Sequence, residues 1–161
     1  MAKHVSITEA LALVKDNDYI VTGLGSAEGR EFMTNLHTIA DRVKGVVVSN
    51  CLPMGAYEFM INPEYKHSFT TEGWFYTPLL RKAHKNGNVS FIPNHLHLAS
   101  KKRLFYREPD IYVGIASMPD KHGYVSLSLS NTYEMAMIKK AKTVILEINP
   151  NAPRTFGDVQ L

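Results

Sequence analysis

A single cysteine, Cys51, stands in the 161 residues, so no intrachain disulfide can form, and such sparing thiol use fits a reducing compartment. No apolar run approaches the ~20 residues of a membrane-spanning helix, and the N-terminal segment lacks the apolar core of a signal peptide. The expectation is a soluble, cytoplasmic protein without a membrane partner. Neither sign of charge dominates: the formal net charge of +3 suits an anionic ligand but falls far short of the basic patches that mark nucleic-acid binders. No nucleic-acid partner is therefore expected. Internal repeats, low-complexity tracts and linkers are missing as well. What remains, 45% hydrophobic and 20% charged residues, is the composition of one ordinary domain able to bury a core.

Ser6-Ile7-Thr8-Glu9 is a capping-box pattern ahead of Ala10, Leu11 and Val14, so a helix starts there. Tyr19-Ile20-Val21 reads as a strand closed by the turn Gly23–Gly29, and Phe32, Leu36, Ile39, Ala40 and Val43 then share one helical face up to Gly45. Val46-Val47-Val48 is a second strand running into Asn50–Gly55. A short helix is assigned to 56–61 and a strand to 68–72. Thr77-Pro78 opens a helix that Asn86-Gly87 stops. Val89–Ile92 is the next strand, and Pro93–His97 leads from it into a basic helix ending near Glu108. Asp110–Ala116 and 124–128 follow as strands. Asn131-Thr132-Tyr133-Glu134 resembles a helix cap with its glutamate partner, with Lys139, Lys140 and Lys142 at the negative end of that helix. The last strand, Thr143–Ile148, ends in the stiff loop Asn149-Pro150-Asn151-Ala152-Pro153-Arg154-Thr155, where each residue before a proline is pushed into an extended conformation.

Strands alternating with helices predict an open, largely parallel twisted α/β sheet flanked by helices, in which ligands sit outside the carboxyl ends of the strands. The segments after the strands, Gly23–Gly29, Asn50–Gly55, Pro93–His97, Ser117–Gly123 and Asn149–Thr155, then converge on one rim. Gly23 and Gly25 either bring backbone N–H groups close to a ligand or merely close a tight turn. No acidic residue follows the second strand where a nicotinamide cofactor's ribose would need one. His95 and His97 share a face of an extended segment, yet zinc wants three or four ligands, so no metal is expected. His122 lies in a Pro-Asp-Lys-His-Gly turn, where fixing the loop competes with a direct chemical role. Arg154 has the fork to pair with a carboxylate or a phosphate. Cys51 is either a nucleophile or a buried core residue, and Lys101-Lys102-Arg103 either holds phosphates or is a solvated helix face.

Pro119-Asp120-Lys121-His122-Gly123-Tyr124-Val125-Ser126-Leu127, followed by Glu147-Ile148-Asn149-Pro150-Asn151-Ala152-Pro153-Arg154-Thr155-Phe156-Gly157-Asp158, resembles the N-terminal half of the acetyl-CoA hydrolase/transferase family, the class I CoA-transferases. Leu52-Pro53-Met54-Gly55 and Pro78-Leu79-Leu80-Arg81 fit the same resemblance, which covers nearly the whole chain. It implies a CoA-transferase/NagB-like fold and transfer of CoA between an acyl-CoA and a short-chain carboxylate through a glutamyl-CoA thioester. Coenzyme A is then a substrate, and no tightly bound cofactor is implied. The family's glutamate lies in the second half. None of Glu28, Glu31, Glu58, Glu64, Glu72, Glu108, Glu134 or Glu147 matches its Gly-rich motif, so no catalytic residue is assigned within 1–161. The chain is expected to be an N-terminal domain that works with a C-terminal CoA-transferase domain, with self-association open. The residues expected in the substrate cleft are Gly23, Gly25, Met54, Gly55, Asn94, His95, His122, Asn151 and Arg154. Hydrolysis of an acyl-CoA, or a non-catalytic binding or assembly role, are the alternatives.

Overall fold

In the computed structural model, which describes residues 3–161, Ser6 Oγ accepts the Glu9 N–H at 3.3 Å while a Glu9 carboxylate oxygen accepts the Ser6 N–H at 2.7 Å. This closes the expected capping box and starts α1 (Ile7–Ala12). Strand β1 (Tyr19–Thr22) follows and is buried along its whole length. Parallel pairing then builds the order β4-β3-β2-β1-β5-β6, with β2 Val46–Asn50, β3 Phe69–Gly73, β4 Val89–Phe91, β5 Ile111–Ala116 and β6 Thr143–Ile148. Ile20 lies opposite both Val48 and Ile111.

Side chains alternate across the pleat, so the two faces of β1 serve two cores. Ile20, Val48, Phe69 and Val113 pack under α1, α2 (Arg30–Asn35), α3 (Glu58–Ile61) and α4 (Pro78–Ala83), which contribute Leu11, Phe32, Met33, Phe59 and Leu80. Tyr19, Val21 and Tyr112 face the other way, against Cys51, Trp74, Ala99 of α5 (Ala99–Tyr106) and Met137 of α6 (Glu134–Ile138). Thr77 caps α4 at Leu80 N, and Gly87 ends the following 3₁₀ turn with φ +82°.

Three expectations are corrected. The helix read from Phe32 to Gly45 ends at Asn35 and continues as a 3₁₀ turn, Leu36–Ile39. Asn35 Nδ2 donates to Glu31 O at 2.9 Å and the Thr38 hydroxyl donates to Asn35 O at 2.8 Å, so side chains compete for helix carbonyls there. The apolar spacing still succeeds in part, since Phe32, Leu36, Ala40 and Val43 are buried. Residues 124–128 form no strand of the sheet. Ser126 makes a single antiparallel bridge with Gln160, and Ser128, at φ +61°, turns the backbone away. Third, Asn131 Oδ1 does accept the Met135 N–H at 3.1 Å, but Glu134 turns inward instead of completing a cap. Lys140 and Lys142 pair with Glu108 and Asp110 beyond the end of α6.

Candidate functional site

Since every strand runs the same way, every following segment emerges at one rim, and the chain crosses back from β4 to β5 beside β1. That reversal opens a crevice above β1, the place where open α/β sheets hold ligands. An open cleft of about 650 Å³ lies there. Leu24, Gly25 and Ser26 after β1 form its near side, Leu52 and Met54 after β2 one wall, and Leu129, Ser130, Asn131 and Thr132 the other. Four apolar side chains thus meet a row of hydroxyls and an amide, the mixture expected where an apolar group must be both desolvated and oriented.

Local constraints explain the turn. Gly23 donates its N–H to Val113 O at 2.9 Å, and a Cβ placed on it would stand 2.3 Å from Ala27 O, so only glycine lets the turn close. Gly25 adopts φ +56°, which a side chain rarely tolerates. Both readings of these glycines are therefore compatible in the same segment: the turn is tight, and it borders the cleft.

Glu28, nearly buried at the end of that turn, accepts hydrogen bonds from Asn50 Nδ2 at 3.1 Å, Met54 N at 3.2 Å and the Tyr57 hydroxyl. Burial pushes its carboxyl above the ordinary glutamate value of 4.5, against the pull of those three donors. Asn50 Nδ2 also donates to Thr22 Oγ1 at 2.7 Å. Glu134 is fully buried and accepts from Leu24 N and Tyr133 N, each at 2.9 Å. Glu147, on β6, accepts from Phe32 N at 2.7 Å and Glu31 N at 3.1 Å and so fastens the start of α2.

Of the residues expected in the cleft, Gly25 and Met54 line it, and Gly23 and Gly55 flank them in sequence. Gly55 lacks a side chain where a Cβ would come within 2.6 Å of the Tyr57 ring. Asn94 and His95 follow β4 and His122 follows β5, and none of the three lines the cleft. The Asn94 amide atoms are screened from solvent without a hydrogen-bond partner among the described residues, whereas His95 is exposed. His122 is also exposed, and its N–H bonds Asp120 Oδ1 at 2.8 Å. Asn151 N donates to Asn149 Oδ1 at 2.9 Å. Arg154 uses its guanidinium on Asp120 at 3.0 Å and on Tyr124 O at 2.9 Å, so it pairs with a carboxylate of this same chain. These contacts make the 120s and 150s loops a mutually braced pair beside the cleft.

Cys51 is fully buried and its thiol is pushed up to about 12 by burial and by the Glu134 charge, so it belongs to the core. Within Lys101-Lys102-Arg103, the lysines are exposed while Arg103 turns in to Glu72 at 2.6 Å. Among the described residues, no group of three or more His, Cys, Asp or Glu side chains could hold a metal ion, and no helix is long and apolar enough to cross a membrane. Sequence reasoning missed the 129–132 wall and the inward roles of Glu28 and Glu134. The one available signal was a glutamate at 134 beside an otherwise apolar helix.

The fold and the cleft define a doubly wound α/β domain with an open cleft at its topological switch point. Residues 1–161 match the acetyl-CoA hydrolase/transferase N-terminal domain, and the chain belongs to that family. It is 31% identical over 167 residues to a succinyl-CoA:cyclohexane-1-carboxylate CoA transferase of Geobacter metallireducens, covering 99% of this chain and 36% of that protein. A 4-hydroxybutyrate coenzyme A transferase of Clostridium kluyveri is 28% identical over 160 residues, covering 97% of this chain and again 36% of the relative. The chain thus spans little more than a third of the length of these relatives. Among solved structures, RipA from Yersinia pestis superposes with a TM-score of 0.87 at 23% identity, over 98% of this chain and 39% of that one. A 4-hydroxybutyrate CoA-transferase from Porphyromonas gingivalis gives 0.77 at 21% identity, over 98% and 36%. These structural likenesses speak to the fold.

Proposed function

We propose that this chain is the N-terminal domain of a CoA-transferase and that the switch-point cleft is its contribution to the acyl-CoA and carboxylate site. The observation that carries the reading is the position of Gly25 and Met54 on a partly apolar cleft at the β1 crossover, in a chain that matches the family domain throughout. In this reaction a glutamate carboxylate, outside residues 1–161, attacks the thioester carbonyl. The C–S bond breaks, CoA leaves as thiolate, and a mixed anhydride remains. The thiolate then attacks the glutamyl carbonyl of the anhydride, releasing the first carboxylate and leaving a glutamyl-CoA thioester; the acceptor carboxylate reverses both steps. Leu24, Leu52 and Leu129 strip water from the acyl chain, while Ser130, Asn131 and Thr132 orient the polar end.

CoA is a substrate in this account, and the protein works in the cytoplasm. Its protein partners are a C-terminal CoA-transferase domain carrying the glutamate and a second copy of the chain. Exposed Met118, Leu129 and Phe156 supply apolar surface for these contacts. The test is to supply the purified chain with acetyl-CoA and butyrate. Binding of acetyl-CoA without CoA transfer is expected. Transfer by residues 1–161 alone would place the nucleophile inside the chain and overturn the assignment, and failure to bind acetyl-CoA would favour a purely assembling role.

A further inference from the structure

Both walls of the cleft are tied to one turn, and each tie is a buried carboxylate. Glu134 Oε1 accepts the Leu24 N–H and Oε2 the Tyr133 N–H, both at 2.9 Å, joining the turn to the residue that follows Thr132. Glu28 Oε1 accepts the Met54 N–H at 3.2 Å, joining the far end of the same turn to the opposite wall. Tyr133 completes the frame by donating its hydroxyl to Thr22 O at 2.9 Å. Neither glutamate forms an ion pair among the described residues. Burying a carboxylate is costly, and apolar side chains could fill the same space without that cost. A carboxylate does what they cannot: its two oxygens hold separate backbone N–H groups at fixed lengths and in fixed directions.

We propose that Glu28 and Glu134 are positioning residues that set the width of the cleft and hence the alignment of an acyl-CoA thioester within it; the ligand clause rests on the CoA-transferase reading. Glutamine at either position keeps the size but loses one acceptor. At 134 it presents an NH₂ group where Leu24 or Tyr133 needs an oxygen.

Hydrogen exchange of the 161-residue chain tests the clamp directly. Glu134→Gln should accelerate exchange at the Leu24 and Tyr133 amides roughly ten- to a hundredfold, the fold-change of a lost charge-assisted hydrogen bond, with the β2 and β5 amides unchanged. Glu28→Ala, which removes the oxygen that Met54 N meets, should do the same at Met54. Should Glu134→Gln fail to fold, Glu134→Asp, which keeps the charge and shortens the reach, is expected to loosen the same two amides. Unaltered exchange at Leu24 and Met54, or a uniform rise across the sheet, overturns the proposal, the latter because it marks a general stability role. Titrating acetyl-CoA into the same samples separates the two claims. A wild-type chain that does not bind it defeats the ligand assignment and leaves the clamp to stand on exchange. Weaker binding in a variant with wild-type thermal unfolding supports both, and equal affinity in wild type and loosened variants overturns positioning.

Discussion

Arg154 donates to the Asp120 carboxylate at 3.0 Å, and the same carboxylate accepts the His122 and Tyr124 N–H groups, so this arginine is engaged within the protein before any ligand arrives. Partial burial opposes the charge on Asp120, yet those two N–H groups and the Arg154 guanidinium outweigh it and hold its carboxyl below the ordinary aspartate value. Arg154→Leu should therefore accelerate hydrogen exchange at His122 and Tyr124 while leaving the affinity for acetyl-CoA nearly unchanged. A large loss of affinity with undisturbed exchange would show Arg154 bound to phosphate instead.

Gly23→Ala should destabilise the chain by about 1–3 kcal/mol, the usual cost of forcing extra volume into packed structure. The new Cβ would meet Ala27 O at 2.3 Å, a backbone atom that no rotamer change can move aside. Urea unfolding checks this, and an unchanged midpoint would mean that the turn opens freely.

Stability should respond to acid in two opposite ways. Burial raises the Glu28 and Glu147 carboxyls above 4.5, so the folded state holds protons that the unfolded state has released, and stability falls as pH rises from about 4.5 through the raised folded values. Asp110 behaves in reverse. Burial opposes its charge, but Lys142 at 2.7 Å, the Tyr19 N–H and Arg107 hold it below 3.8, so its contribution is present above that value and is lost as pH falls through the lowered one. Glu28→Gln should flatten the first slope and leave the second in place, as urea midpoints measured from pH 3 to pH 7 would reveal.

Cys51 should resist thiol reagents at pH 8 in the folded chain and react at once on unfolding, because burial both hides the thiol and raises it to about 12. Rapid labelling of the native chain would restore the nucleophile reading.

Features written in neighbouring residues were legible in the sequence. The Ser6/Glu9 box, the Thr77 cap and the Gly87 stop need partners only three or so residues away, and each forms as the pattern implies. The parallel order of strands followed from their alternation with helices, and with it the shared rim. Long-range partners left no comparable trace. Glu134 stands where a cap partner would, but its oxygen meets Leu24, 110 residues distant in sequence. Residues 124–128 alternate like a strand, yet they pair with the 159–161 segment and not with the sheet. The parallel sheet sends the loops to one rim, but of the residues expected in the cleft only Gly25 and Met54 line it, a selection that depends on how the loops fold and not on strand order.

Acetyl-CoA is expected to occupy the cleft over β1. Backbone amide spectra recorded while acetyl-CoA is titrated into the labelled chain test it most directly. Shifts should concentrate at Leu24–Ser26, Leu52–Met54 and Leu129–Thr132, the segments that line the cleft. Shifts confined to the surroundings of His95 or Lys101, or none at saturating acetyl-CoA, would contradict it.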